Sequence, residues 1–333
     1  MPHASLRTVL LISVALLLGA PACRSPRGVR SPPAASVSPP RNEPRIFDVR
    51  ARRFVDERTL LAALAKARFV LLGERHDHPE HHRLQARILA GLVASGRRPS
   101  VGWEMIEEER GDALRAYLQR PDASAQGLGP ALSWERSGWP PWGIYRPIAE
   151  VAFAAHLPLF AAGMSRTALM RLHTAGPPPD ALPASQPHAA TDLLGPEARA
   201  ELAVEIKEAH CGHASERLVR MMTAMQAARD RHLAERLLAH ATSHGAVLIA
   251  GNGHVRRDRG VPLHLAHLGR RQATAIAVGI LEVDALPASS DTRLEPLLQL
   301  ARPFDFVWFT TRLDREDPCV KFKRALERMK RHR

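Results

Sequence analysis

The chain has 333 residues, of which 24% are charged, with 47 Lys and Arg against 34 Asp and Glu and a formal net charge of +13. The excess is mostly arginine scattered along the chain, and no basic patch or stripe of the kind that tracks nucleic acid is visible, so nucleic acid is excluded as a partner. Three cysteines, two of them beyond residue 23, supply neither a zinc ribbon nor a CxxC centre.

In chain order, Arg7 precedes an apolar run from Val9 to Leu18, and small residues follow down to Ala22 and Cys23. This is the layout of a secretory signal over residues 1–22. The run is about half the ~20 residues that a spanning helix needs. Cys23 stands where a bacterial lipoprotein signal places its acylated cysteine, which predicts lipidation at Cys23 and an outer-membrane or periplasmic location; Ala20 and Pro21 depart from the usual pattern, and plain cleavage after Ala22 is the alternative. Residues 23–45 are rich in Pro, Ser and Arg and read as a tether. A single α/β domain is expected over 46–315, followed by a basic tail over 316–333.

A short helix is expected over Thr59 to Arg68, then FVLLG at 69–73, a continuous apolar run of the buried parallel-strand type that ends in glycine. The polar turn GERHDHPEHH follows, and Pro79 opens a helix with Leu84, Ile88 and Leu92 on one face. SVGWEM at 100–105 is the next strand, followed by a helix from Ile106 to about Gln119. The aromatic stretch LSWERSGWPPWGIYRP leads into a helix from Arg146 to His156 and a third strand, PLFAAG at 158–163. GPPPDALPASQP at 176–187 reads as a surface loop. Two helices, meeting near His210 to His213, fill Pro196 to His244, and the runs AVLIAGNGH, ATAIAVGILEV and DFVWFTT supply the remaining strands. The alternation predicts an α/β fold with a mostly parallel central sheet flanked by helices, and a helical, aromatic insertion forming a lid.

Ligands bind beyond the carboxyl ends of strands in such sheets. The turns GERH at 73–76 and GNGH at 251–254 and the strand end at Glu104 therefore converge, bringing Glu74, His76, Glu104, Asn252 and His254 to one edge. Two histidines with one or two carboxylates suit a divalent metal, held by His76, Glu104 and His254, or a general base with an orienting carboxylate. Singly, each of these residues is an ordinary loop or capping residue; five after three apolar strands are harder to dismiss. Of His78, His81 and His82, at most one is expected to contribute, because helical spacing puts the last two on different faces. Trp134, Trp139, Trp142 and Tyr145 are four of the seven residues that are Trp (five) or Tyr (two). A tyrosine oxygen is a recognised haem-iron ligand, and flat aromatics with Pro140 and Pro141 equally suit a rigid lid or core corner. His210, Cys211 and His213 form a second cluster or a simple helix corner, and Cys211 and Cys319 can pair in an oxidising compartment if their Cα atoms come within reach.

Taken together, LLGERHDHPEHHRLQ, GWEM, GWPPWGIYRP, the AHC segment, QAARD and VLIAGNGHVRRDRGVP resemble the ChaN family of haem-binding lipoproteins, from about Phe69 to Pro262. The resemblance implies an iron-regulated lipoprotein of the surface or periplasm that binds haem through a tyrosine, with haems stacked across a homodimer. Tyr145 is the position to which that role carries, since Tyr117 lies outside any matching segment; Arg75, His76, Trp142 and His210 are the accompanying haem-binding candidates, and Arg146 and Arg256 are candidates for the propionates. The family is similar in turn to a wider superfamily with Tiki, TraB and erythromycin esterase proteins, which implies a hydrolytic site of Glu74, His76, Glu104 and His254, oriented by Arg229 and Asp230.

Overall fold

The computed structural model describes residues 45–175, 193–269, 274–285 and 295–314, with isolated positions between 316 and 327. The signal segment, the tether up to residue 44 and the loop at 176–187 lie outside the described residues. Among the described residues eight strands form one sheet: β1 Ile46–Asp48, β2 Arg53–Val55, β3 Phe69–Glu74, β4 Ser100–Glu107, β5 Leu159–Gly163, β6 Ala246–Gly251, β7 Ala275–Val283 and β8 Phe306–Thr311. Their order is β2-β1-β8-β7-β3-β6-β4-β5. β8, β7, β3, β6, β4 and β5 pair in parallel, and only β1 pairs antiparallel, with β2 and with β8.

The apolar runs are strands because helices cover both faces of the sheet. Val70 and Leu72 of β3 pack with Ile88, Leu92, Trp103 and Tyr145 on one face. Phe69 and Leu71 pack with Leu233, Leu237 and Leu265 on the other. A strand buried on two faces needs apolar side chains at every position. The helix Pro79–Ala94 opens with Pro79 in its first turn, and its cap residue His78 accepts a bond from the Glu80 amide. The long helices run Pro196–Ala209 and Glu216–His240, the second capped by the Ser215 hydroxyl.

Several elements differ from expectation, among them the first helix, expected over Thr59 to Arg68 and found at Glu57–Leu64. The β1–β2 hairpin is absent from the sequence reading because its strands are three residues each and sit among arginines, without an apolar run. β4 continues to Glu107, and the helix after it begins only at Gly111, past a single 3-10 turn over Glu108–Arg110. The helix expected from Arg146 begins at Trp142 and carries Pro147 in its interior, which reads locally as a start signal. Cys211 and Cys319 do come within reach: their Cα atoms are 5.6 Å apart and a disulfide joins them. Among the described residues no helix is long and apolar enough to cross a membrane.

Candidate functional site

β3, β6 and β4 are neighbours, so their carboxyl ends bring the two Gly-x-x-His turns and Glu104 together. Close approach explains both glycines. A Cβ at Gly251 would lie 2.9 Å from His76 Nε2. A Cβ at Gly73 would lie 2.2 Å from Asn252 Oδ1, because the Asn252 side chain crosses β3 to reach β7. There its amide donates to the Ile280 carbonyl at 2.7 Å and accepts from the Ile280 amide at 3.1 Å. Asn252 thus ties the end of β6 to β7 and does not face the centre.

Two buried carboxylates organise the centre. Glu74 Oε1 lies 2.7 Å from His76 Nδ1, and its Oε2 lies 2.8 Å from His82 Nδ1. Burial works against its ionisation, but bonds and charge from His76 and His82 hold the carboxyl below the usual range. Glu104 receives the Gly251 amide on Oε2 at 2.8 Å, and Arg229 at 2.5 Å and His254 Nε2 at 3.1 Å on Oε1. Burial is again outweighed, chiefly by the His254 and Arg229 charges, and Glu104 stays ionised far below its ordinary range. His254 Nδ1 is 2.5 Å from Asp230 Oδ1, so each ring nitrogen faces a carboxylate. Desolvation opposes its charge, yet Glu104 and Asp230 push its pKa up to about 9. Burial pushes Asp230 up, with His254 and Arg229 pulling the other way.

His76 is the accessible member, with its side chain 32% exposed against 0% for Glu74. Its pKa is raised, since the Glu74 bond and the Glu104 and Glu74 charges outweigh desolvation. Its Nε2 stands 4.0 Å from Glu104 Oε2, and the Trp139 ring lies 4.7 Å from its own.

The expected metal set meets a different geometry. Among the described residues no group of three His, Cys, Asp or Glu side chains is placed to hold a metal ion. Both ring nitrogens of His254 are already engaged by carboxylates, Nε2 by Glu104 at 3.1 Å and Nδ1 by Asp230 at 2.5 Å.

Other sequence candidates have structural partners. Tyr145 is fully buried, and its hydroxyl lies 3.2 Å from the His76 carbonyl and 3.4 Å from Glu74 Oε1. Burial first, and then the Glu74 and Glu104 charges, raise the phenol far above its ordinary range, so it stays a neutral donor that braces the GERH turn. Trp142 is buried, donates to the Ala125 carbonyl and packs edge-on against Trp134. Arg75 is taken by Asp77 and Glu282, Arg146 by Gln126 and Glu150, and Arg256 by Glu201, Glu205 and Asp258. None of these three is left as a bare cation for a propionate.

The histidines after the first turn contribute more than expected. All three are buried: His82 reaches Glu74 and the His76 carbonyl, while His81 Nδ1 accepts from the Arg75 amide and its ring stacks on His78. Helical spacing separates the faces of His81 and His82, but the turn folds back over the helix start and meets both. Gln226, whose amide lies 3.0 Å from His254 Nδ1, was missed; its place four residues before Asp230 on one helix face is the signal that would have found it.

Residues 60–265 match the family described as haem-binding uptake, Tiki superfamily, ChaN. Among solved structures, one described as cofacial haem binding to ChaN of Campylobacter jejuni aligns with a TM-score of 0.62 and 22% identity, covering 79% of this chain and 94% of that one. The type III effector HopBA1 aligns with a TM-score of 0.41 and 15% identity over 84% of this chain and 98% of its own. An erythromycin esterase in its open conformation aligns with a TM-score of 0.38 and 15% identity over 83% of this chain and 86% of its own. No curated protein matches the chain. The family match spans well over half of the sequence and contains both Gly-x-x-His turns, Glu104 and Asp230, and the chain belongs to the haem-binding uptake (ChaN) family of the Tiki superfamily.

Proposed function

We propose that the protein is an exported, lipid-anchored haem-binding protein serving haem or iron uptake at the outer membrane or in the periplasm, working as a homodimer. Family membership over residues 60–265 carries this reading. The signal-like residues 1–22, the cysteine at 23 and the Cys211–Cys319 disulfide support export, since disulfides persist in oxidising compartments. Haem, when bound, would take one accessible donor side chain and a cavity, not a three-residue metal cluster. The mature chain starting at Cys23 is expected to shift the Soret band of added haemin to a saturable end point. A spectrum equal to that of free haemin would overturn the reading.

A second reading rests on one observation, the 4.0 Å separation of His76 Nε2 and Glu104 Oε2. An oxygen atom set to one side of that line touches both groups at hydrogen-bonding distance. With Glu74 orienting the ring, the neutral form of His76 then takes a proton from a water or hydroxyl held between it and Glu104. That is hydrolytic geometry for an ester or peptide, and it uses no metal at His254. On a panel of such substrates, His76→Ala is expected to lower any turnover by about 10²-fold or more. Equal rates in wild type and variant would remove the hydrolytic reading and leave haem binding untouched.

A further inference from the structure

The corner between the helices Pro196–Ala209 and Glu216–His240 has Cys211 and Gly212 in the left-handed region, with φ of 55° and 79°. Side chains other than glycine rarely adopt that conformation, so breaking the Cys211–Cys319 bond would let this backbone relax. The same bond fastens the segment beyond β8 to the corner. It is not sealed in the core. Both cysteines are half-buried, and both line a cavity of about 840 Å³ whose walls include the exposed residues Glu208, His213 and Asp317. Ligand cavities span ~300–1,000 Å³, so a small molecule has room to reach the sulfurs.

The cavity also holds a base. His210 Nδ1 sits 2.7 Å from the Ile206 carbonyl, an acceptor only, so Nδ1 carries the proton and Nε2 keeps its lone pair. A disulfide is opened by a thiolate, whereas an ordinary thiol near neutral pH is mostly protonated. Glu208 and Asp317 on the cavity wall repel a thiolate already formed in solution. A thiol must therefore enter neutral and lose its proton inside. His210, which lines the same cavity and directly precedes Cys211 in the chain, is placed to take it.

We propose that the Cys211–Cys319 bond is a thiol–disulfide exchange site for an uncharged dithiol, with His210 as its base. Nε2 takes the proton of the incoming thiol, the thiolate attacks Cys211 Sγ, and Cys319 leaves as a thiolate that receives that proton. The second thiol of the dithiol, deprotonated in the same way, attacks the mixed disulfide at the reductant's own sulfur and expels Cys211, which is protonated in turn. Two protein thiols and one oxidised dithiol result, and the segment beyond β8 is freed from the corner. This chemistry is independent of the haem-binding and hydrolytic readings.

Timed alkylation and mass spectrometry of the folded mature chain read how fast dithiothreitol and an uncharged phosphine open the bond. Both are expected to open it without denaturant. A phosphine attacks without giving up a proton, so His210→Ala should leave its rate unchanged while slowing dithiothreitol at neutral pH at least about tenfold. That gap should close as pH rises past the ordinary thiol pKa of about 8.5. His210→Gln, which keeps a donor for the Ile206 carbonyl but is no base, should match His210→Ala, and far-UV circular dichroism separates loss of a base from loss of fold. A wild-type bond that opens only in denaturant overturns the exchange site. Equal slowing of both reagents, no slowing of either, or selective slowing in His213→Ala instead overturns His210 as the base.

Discussion

Replacing Cys211 and Cys319 together by serine is expected to lower the melting temperature by roughly 10–15 °C. The bond spans 108 residues. Cross-linking a loop of that size removes unfolded-chain entropy worth about 4–5 kcal/mol, and each kcal/mol moves the midpoint of a domain this large by about 2–4 °C. The corner also needs the constraint. Cys211 and Gly212 are consecutive residues with positive φ, and the weakly buried helix Pro196–Ala209 contributes only Leu202 and Ile206 to the core. Calorimetric melts of oxidised wild type, wild type with a phosphine reductant and the double-serine chain test this directly. Midpoints within about 2 °C of each other would show that the bond restrains only a locally fraying segment.

A second large effect is expected from His254, whose imidazolium lies between Glu104 and Asp230. His254→Ala leaves two buried carboxylates facing each other and is expected to cost about 3–5 kcal/mol, the usual penalty for breaking a buried pair from one side. The pH dependence has a definite sign. The folded pKa of about 9 lies above the unfolded value near 6.5, so the stabilisation is complete below pH 6.5 and is lost as pH rises through 9. Its size is of order 3 kcal/mol. Glu104 acts in the opposite direction: its carboxyl is held below the ordinary range, so its contribution is present above the unfolded pKa and is lost only in strong acid. Urea unfolding should therefore show greater stability at pH 6 than at pH 9 in wild type, with that difference reduced in His254→Ala. Equal wild-type stability at the two pH values would mean that His254 is neutral in the folded protein.

Much of the architecture was legible in the sequence. β3, β4, β5 and β6 fell where continuous apolar runs end in glycine or a polar turn, because a parallel strand covered on both faces admits almost nothing else. The corner at His210 to His213 was legible because two long helical patterns meet at a glycine. The edge hairpin was not, since three-residue strands bury too little to leave a pattern. The polar centre was half legible. Glycine turns after apolar strands put Glu74, His76, Glu104 and His254 at one edge of any parallel sheet, whatever the strand order.

What those residues do there was settled by neighbours that no local pattern encodes. Strand order β3-β6-β4 sets Glu104 against the turn of β6, and the crossing of the helix Glu216–His240 supplies Asp230, Gln226 and Arg229 to the same carboxylate and imidazole. This sets His254 between two carboxylates and leaves His76 as the exposed imidazole of the centre. Tyr145 and Asn252 show the same division: residue type marked both as notable, but burial turned the phenol inward as a brace and the bare Cα of Gly73 let the amide cross to β7. Sequence alone determined the periodicity, the turns and the chemistry available, since these depend on the chain's own neighbours. Tertiary structure decided protonation, accessibility and partners, since each depends on which distant groups share the same few ångströms and how much water is excluded from between them.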